Sequence, residues 1–215
     1  MTFDTVFLDL DGTLSDSMPG ITNSVSWALS QYGIDVAPKA LRMFVGPPLR
    51  ESFQKYFDFT DGNVDEVIRL FRQRYGEKGV YELTLYPGVP EMLNRLERAG
   101  KRLILASSKE EDYVCQILDD TGIARHFSCI AGADLKTSRL SKGEVLRHAC
   151  REAAVTDMER SIMVGDREHD VHGAHETGMR CAAVLYGYGS REELGAAGAD
   201  FFISTVAELA DWLTH

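Results

Sequence analysis

The stretch that decides the fold is VFLDLDGTLSDS, Val6–Ser17. An apolar run reaches Asp9, passes Leu10 to Asp11, and breaks at Gly12-Thr13. Residues two apart on an extended chain point to the same side, so Asp9 and Asp11 share a face. Gly12 permits a sharp exit from the strand. Like charges placed together disfavour one another, so the pair calls for a function or a cation. The plain alternative is that both acids cap the following turn, as aspartate often does.

Working outward, the same strand pattern returns four times. TVFLDL (5–10), KRLILASS (101–108), FSCIAGA (127–133), RSIMVGD (160–166) and RCAAVLYG (180–187) read as short buried strands. Helical periodicity lies between them, at 89–100, 109–122, 141–153 and 169–178. Ser141 with Glu144 three residues on has the form of a capping box. Strands alternating with helices predict right-handed crossovers and a parallel sheet covered on both faces. Ligands of such sheets sit at the carboxyl ends of the strands, where the strand order switches. Asp9 and Asp11, Ser107 and Ser108, and Asp166 all stand at predicted strand ends.

One segment breaks the alternation. Residues 19–33, 48–59 and 64–79 carry helical periodicity, with no strand pattern from about Ser15 to Tyr86. TLYPGV (84–89) returns the chain to the sheet. The expected organisation is an α/β core of residues 1–15 and 86–215 with a helical insertion over 16–85.

Composition narrows the function. The 215 residues suit one domain with a modest insertion, and 44% hydrophobic content is ample for a core. A net charge of −10 argues against nucleic-acid binding, which needs a basic face. It leaves anionic substrates open, because a metal or a local lysine can invert the sign of a pocket. The four cysteines are widely spaced with no C-x-x-C pair, so free thiols are expected. No run is long enough to span a bilayer, and Asp4, Asp9 and Asp11 interrupt any signal-peptide pattern. The expected location is cytoplasmic.

The chemistry of these residues fits phosphoryl transfer. One carboxylate of the Asp9/Asp11 pair can attack phosphorus and form an aspartyl-phosphate. The other can protonate the leaving oxygen and then take a proton from water. VGDREHD places Asp166 at a strand end and Asp170 in the next helix's first turn. With Asp9 and Asp11 they make an oxygen-rich cluster suited to Mg²⁺. Ser107 can donate its hydroxyl to phosphate, aided by N–H groups at the following helix start. Lys142 opens a helix, where its charge opposes the dipole, so a use elsewhere such as balancing phosphate charge is indicated.

Four of these stretches, DLDGTL, the serine ending LILAS, the lysine of SRLSKGEV, and GDREHD, resemble in order the four motifs of the haloacid dehalogenase superfamily. FVGPPLRESF (44–53) and VLYGYGSREEL (184–194) resemble its phosphoglycolate phosphatase-like and 5′-nucleotidase-like branch. The resemblance implies a Rossmann-like parallel sheet core with an inserted helical cap domain. It implies Asp9 as nucleophile and Asp11 as general acid/base. Ser107, Ser108 and Lys142, with Gly12 and Thr13 of the turn, form the implied phosphate-binding set. Asp9, Asp11, Asp166 and Asp170 form the implied Mg²⁺ set, Asp11 through its backbone carbonyl. An acid at position 11 also separates the chain from relatives that break C–halogen or C–P bonds.

The expected function is a Mg²⁺-dependent phosphatase of small phosphomonoesters such as phosphoglycolate or a nucleoside 5′-monophosphate. A phosphomutase of a sugar phosphate and a catalytically idle module are the alternatives. The expected partner is the small-molecule substrate, with no nucleic acid and no membrane. A monomer is expected, with a dimer left open. Arg50, after the rigid Pro47-Pro48 turn, is the candidate for substrate specificity, against an ordinary pairing with Glu51 or Asp58. His169, His172 and His175 drift around one broad helix face and do not form a zinc pattern. GYGS (187–190) lacks the lysine of a P-loop and reads as a plain loop.

Overall fold

A computed structural model describes residues 2–134 and 139–215. The chain divides into two compact units, Met1–Ser15 with Leu85–His215, and Asp16–Thr84.

The first unit is built on a six-stranded sheet. Its strands are β1 (Thr5–Leu8), β4 (Arg102–Glu110), β5 (Cys129–Ala133), β6 (Ser161–Gly165), β7 (Arg180–Val184) and β8 (Phe201–Ile203). The spatial order is β5-β4-β1-β6-β7-β8, and every pairing is parallel. The chain builds outward from β1 to β4 and β5, then crosses back to lay β6, β7 and β8 on the other side. The order therefore reverses beside β1, which makes the carboxyl ends of β1, β4 and β6 the natural ligand position.

Helices α4 (Val89–Arg98), α5 (Glu111–Asp120), α6 (Lys142–Glu152), α7 (Glu168–Glu176), α8 (Arg191–Ala196) and α9 (Val206–Thr214) complete this unit. Phe7, Ile104, Ala131 and Met163 project from neighbouring strands into one apolar cluster with Val145, Leu146 and Ala149 of α6 and Val171 and Ala174 of α7. Alternation along β1 puts Val6 and Leu8 on the opposite face, and both are fully buried. A sheet buried on both faces explains why its strands read as unbroken apolar runs. The capping box at α6 is present: Ser141 Oγ accepts from the Glu144 N–H, and Glu144 Oε2 accepts from the Ser141 N–H.

The second unit contains α1 (Met18–Ser30), α2 (Leu49–Phe57) and α3 (Val64–Glu77), with 3₁₀ turns at Pro38–Phe44 and Gly79–Tyr81. Its interior is aromatic, with Phe44 and Phe53 edge-to-face at 4.9 Å and Phe53 against Phe59 at 5.6 Å. Arg74 of α3 makes a bidentate pair with Glu82, both contacts at 2.7 Å. The chain enters and leaves this unit through β2 (Ser15–Asp16) and β3 (Thr84–Leu85), which form a two-stranded sheet.

Three differences from the sequence reading have physical causes. Helix α5 starts at Glu111 rather than 109, because β4 runs on to Glu110 across a register shift after Ala106. The 3₁₀ turn at Pro38–Phe44 carries no sustained 3.6-residue period and gave no element in the sequence. Strand β8 and helices α8 and α9 also went unread, being a three-residue strand and short helices near the C-terminus. No helix among the described residues is long and apolar enough to cross a membrane. All four cysteines are free.

Candidate active site

The turn after β1 carries the first two acids. The Asp9 N–H donates to the Val164 carbonyl at 3.0 Å, which holds Asp9 in the sheet one residue past β1. The chain then folds back on itself. The Leu10 carbonyl accepts from the N–H groups of Leu14 and Ser15, each at 2.9 Å, and the Gly12 N–H donates to the Ser15 carbonyl at 2.8 Å. Gly12 has φ +79°, and a Cβ there would lie 2.1 Å from Asp166 Oδ2, so both conformation and space require glycine.

Lys142 is the centre of the charge arrangement. Helix α6 packs on α7 so that the lysine stem is buried, with its ammonium inside the site. Nζ donates to Asp9 Oδ1 at 2.8 Å and to the Ala106 carbonyl at 2.8 Å. It also pairs with Asp170 Oδ1 at 2.9 Å. Asp170, in the first turn of α7, turns its other oxygen back on the chain. Its Oδ2 accepts from the N–H groups of Asp166 and Arg167 at 3.1 and 3.0 Å.

Asp9, Asp166 and Asp170 are all buried, and one oxygen from each lies within 4.8 Å of the others. Asp166 Oδ2 accepts from the Tyr188 N–H at 2.7 Å, while Asp166 Oδ1 is buried without a hydrogen-bond partner among the described residues. Burial raises the Asp9 pKa to about 6, Lys142 opposing and Asp170 adding to the rise. Burial likewise pushes Asp166 well above the carboxylate range, with Asp170 and Asp9 adding to it. Burial works against the Lys142 ammonium, but Asp170 and Asp9 more than reverse that and hold it charged. Three buried carboxylates thus face one ammonium, with Asp166 Oδ1 left unpaired among the described residues. A hard divalent cation bound by oxygen fits that deficit, and Mg²⁺ is such an ion. The residues that could hold it are Asp9, Asp166 and Asp170.

Ser107 is buried in β4, and its Oγ accepts from the Lys109 N–H at 3.4 Å. Ser108 is the next residue of the same strand and is more exposed. Helix α5 starts too far along for Ser107 to cap it, so the expected N–H groups of a helix start are not adjacent to this serine. Thr13 is fully buried, its hydroxyl has no partner among the described residues, and its carbonyl accepts from the Tyr186 hydroxyl at 3.1 Å. The Asp11 carboxylate stands outside the three-acid cluster and pairs with Lys109 Nζ at 2.8 Å. Arg50, in α2, pairs with Asp65 and with Asp61, rather than with Glu51 or Asp58. His175 bonds to Asp200 at 3.0 Å.

Lys109 is the polar residue that sequence reasoning passed over. It sits in the irregular end of β4, nearly buried, beside the acid of another strand. Only the β1–β4 pairing brings the two together across 98 positions of sequence. The one available signal was its position two residues beyond Ser107.

A family model of haloacid dehalogenase-like hydrolases matches residues 6–184. The chain is similar to a 5′-nucleotidase of Pseudomonas aeruginosa, with 36% identity over 210 residues, 97% of this chain and 95% of that protein. It is similar to a phosphoglycolate phosphatase of Chromobacterium violaceum, with 31% identity covering 98% of this chain and 96% of the relative. It also matches the tyrosine-protein kinase PtkA of Mycobacterium tuberculosis at 40% identity, over 86% of this chain and 62% of that protein. Among solved structures, a predicted phosphatase from Clostridium acetobutylicum superposes with TM-score 0.92 at 37% identity, covering 99% of both chains.

The α/β core, the helical insertion and the acidic strand ends define a Rossmann-like hydrolase with a cap domain. The chain belongs to the haloacid dehalogenase-like hydrolases, with phosphatase-named homologues along nearly its whole length.

Proposed function

We propose that this chain is a Mg²⁺-dependent phosphatase of small phosphomonoesters that works through an aspartyl-phosphate on Asp9. The observation that carries the reading is the buried Asp9 carboxylate at the end of β1, gripped by Lys142 and grouped with Asp166 and Asp170. The names of the relatives point to phosphoglycolate or a nucleoside 5′-monophosphate as the substrate class.

Each residue has a role in the steps. An Asp9 oxygen attacks phosphorus, and the bond from phosphorus to the substrate's ester oxygen breaks. Asp11, entering the cycle as the carboxylic acid, delivers its proton to that oxygen, and the alcohol leaves. Asp11, now a carboxylate, takes a proton from water, whose oxygen attacks the same phosphorus. The acyl-phosphate bond breaks, inorganic phosphate leaves, and Asp9 is restored. The Lys142 ammonium and the Ser107 hydroxyl hold the non-reacting phosphate oxygens. Lys109 fixes the direction of the Asp11 carboxylate through their 2.8 Å pair.

Asp9, Asp166 and Asp170, with the Asp11 backbone carbonyl, would hold the Mg²⁺, which when bound supplies the positive charge that lets an anionic ester approach an anionic nucleophile. Alignment and charge stabilisation are most of what phosphoryl transfer needs.

The test is phosphate release across a panel of phosphometabolites, with p-nitrophenyl phosphate as a generic ester. Mg²⁺-dependent release from phosphoglycolate or a nucleoside 5′-monophosphate is the expected result. No release from any ester in Mg²⁺ would overturn the reading.

A further inference from the structure

The glycine-rich stretch between β7 and α8 reads in sequence as a plain loop. In the structure it lies against the acidic site at several points. The Tyr188 N–H fixes Asp166 Oδ2 at 2.7 Å, while Asp166 Oδ1 is left without a partner among the described residues. Gly187 approaches so closely that a Cβ there would lie 2.4 Å from both Asp166 Cβ and the Gly12 carbonyl oxygen. A Cβ at Gly189 would lie 2.0 Å from the Asp166 carbonyl oxygen. The Tyr186 hydroxyl donates to the Thr13 carbonyl at 3.1 Å, and its ring meets Tyr86 edge-to-face at 5.3 Å. Glu193, in the first turn of α8, accepts from Arg167 Nε at 2.7 Å and from the Glu168 N–H at 3.1 Å.

One short segment therefore touches both the turn after β1 and the turn after β6. Those turns carry Asp9 with Asp11 and Asp166 with Asp170. The Asp9 N–H to the Val164 carbonyl ties them at the sheet edge and Lys142 ties Asp9 to Asp170 across the site, and the loop adds a third tie, between Thr13 and Asp166. A carboxylate free to rotate must be ordered when it binds a cation, whereas one already fixed loses little on binding.

We propose that Tyr186–Glu193 is a positioning clip: it locks one oxygen of Asp166, presents the other to a divalent cation, and sets the spacing of the two acid-bearing turns. The proposal rests on the reading of Asp166 as a cation ligand. It assigns no chemistry to the loop itself. The loop acts through Asp166 and through the carbonyls of Gly12 and Thr13.

The experiment is calorimetric titration of the metal-stripped 215-residue chain with MgCl₂, for the parent, Gly187→Ala and Tyr186→Phe, alongside the thermal melt of each without metal. A methyl at 187 has no room, so Asp166 or the Gly12 turn must move. We expect Gly187→Ala to raise the Mg²⁺ Kd about 10–100-fold, the range for removing outer support of a metal ligand. Tyr186→Phe keeps the ring and loses only the bond to Thr13, so a rise of at least ~3-fold is expected. A role confined to holding the fold would lower the melting temperature and leave the Kd in place. If both variants fold and bind Mg²⁺ within about twofold of the parent, the clip is overturned. If Gly187→Ala fails to fold, Tyr186→Phe decides by the same criterion. A parent chain that binds no Mg²⁺ overturns the metal reading, and the clip with it.

Discussion

Lys142→Met tests the charge arrangement most severely. Methionine keeps much of the apolar stem and removes the ammonium that lies 2.8 Å from Asp9, 2.9 Å from Asp170 and 2.8 Å from the Ala106 carbonyl. Removing one partner of a buried ion pair costs about 3–5 kcal/mol, because the remaining charge is stranded. Here the stranded charge has an escape, since Asp9 can take a proton and its pKa already stands at about 6. The folded state holds that proton more tightly than the unfolded chain does. The Asp9 contribution to stability is therefore complete below pH 3.8 and is lost as pH rises through about 6. In the metal-free parent that loss reaches about 3 kcal/mol by pH 8. The Lys142 contribution has the opposite sense. Its pKa is raised, so its stabilisation is full below the ordinary 10.5 and constant between pH 5 and 8.

Without the ammonium, the Asp9 carboxyl is pushed further up, and the variant's penalty grows with pH. Urea unfolding in EDTA should show Lys142→Met less stable by about 3–5 kcal/mol at pH 8. The gap should shrink by at least ~1 kcal/mol at pH 5, where Asp9 is mostly protonated in both proteins. A gap equal at the two pH values, or below ~1 kcal/mol at pH 8, would refute the buried pairing of Lys142 with Asp9.

Three further outcomes are expected. EDTA should abolish phosphatase activity, Mg²⁺ should restore it, and Ca²⁺ should support it poorly because Ca²⁺ takes more ligands in looser geometry; equal rates in Ca²⁺ and Mg²⁺ would count against the site. Lys109→Met should lower kcat by about 10–100-fold, in line with a misdirected proton donor, and change KM much less; an unchanged kcat would remove Lys109 from the mechanism. Arg50→Ala should change stability by less than ~1 kcal/mol, since its pairs with Asp61 and Asp65 are exposed. It should also leave kcat/KM for metabolite and p-nitrophenyl phosphate alike, and a loss confined to the metabolite would make Arg50 a specificity residue.

The sequence was readable where local pattern and tertiary role coincide. Asp9, Asp166 and Lys142 each stand where a buried strand ends or a helix begins, and those positions follow from periodicity and caps. Their convergence followed from the topology of parallel sheets, and the structure brings Asp9, Asp166, Asp170 and Lys142 together. Lys109 was hidden because the helical pattern at 109–122 absorbed it, whereas a register shift keeps it on the strand. The loop at Gly187–Ser190 reads as plain because its glycines match no phosphate-binding pattern. Their reason is space, since Gly187 faces Asp166, and crowding by a side chain 21 positions away leaves no periodic trace. Arg50 drew attention through its rigid turn, but Asp61 and Asp65 hold it, and neither pairing was legible from spacing.

Whether Asp9 carries the phosphoryl group can be tested on the intermediate itself. Turnover of the substrate would be quenched in acid and the protein treated with borohydride, which reduces an aspartyl-phosphate to homoserine. Peptide mass analysis then identifies the residue. Homoserine is expected at position 9, dependent on substrate and absent from Asp9→Asn. Homoserine at position 11, or full phosphate release with Asp9 never modified, would contradict it.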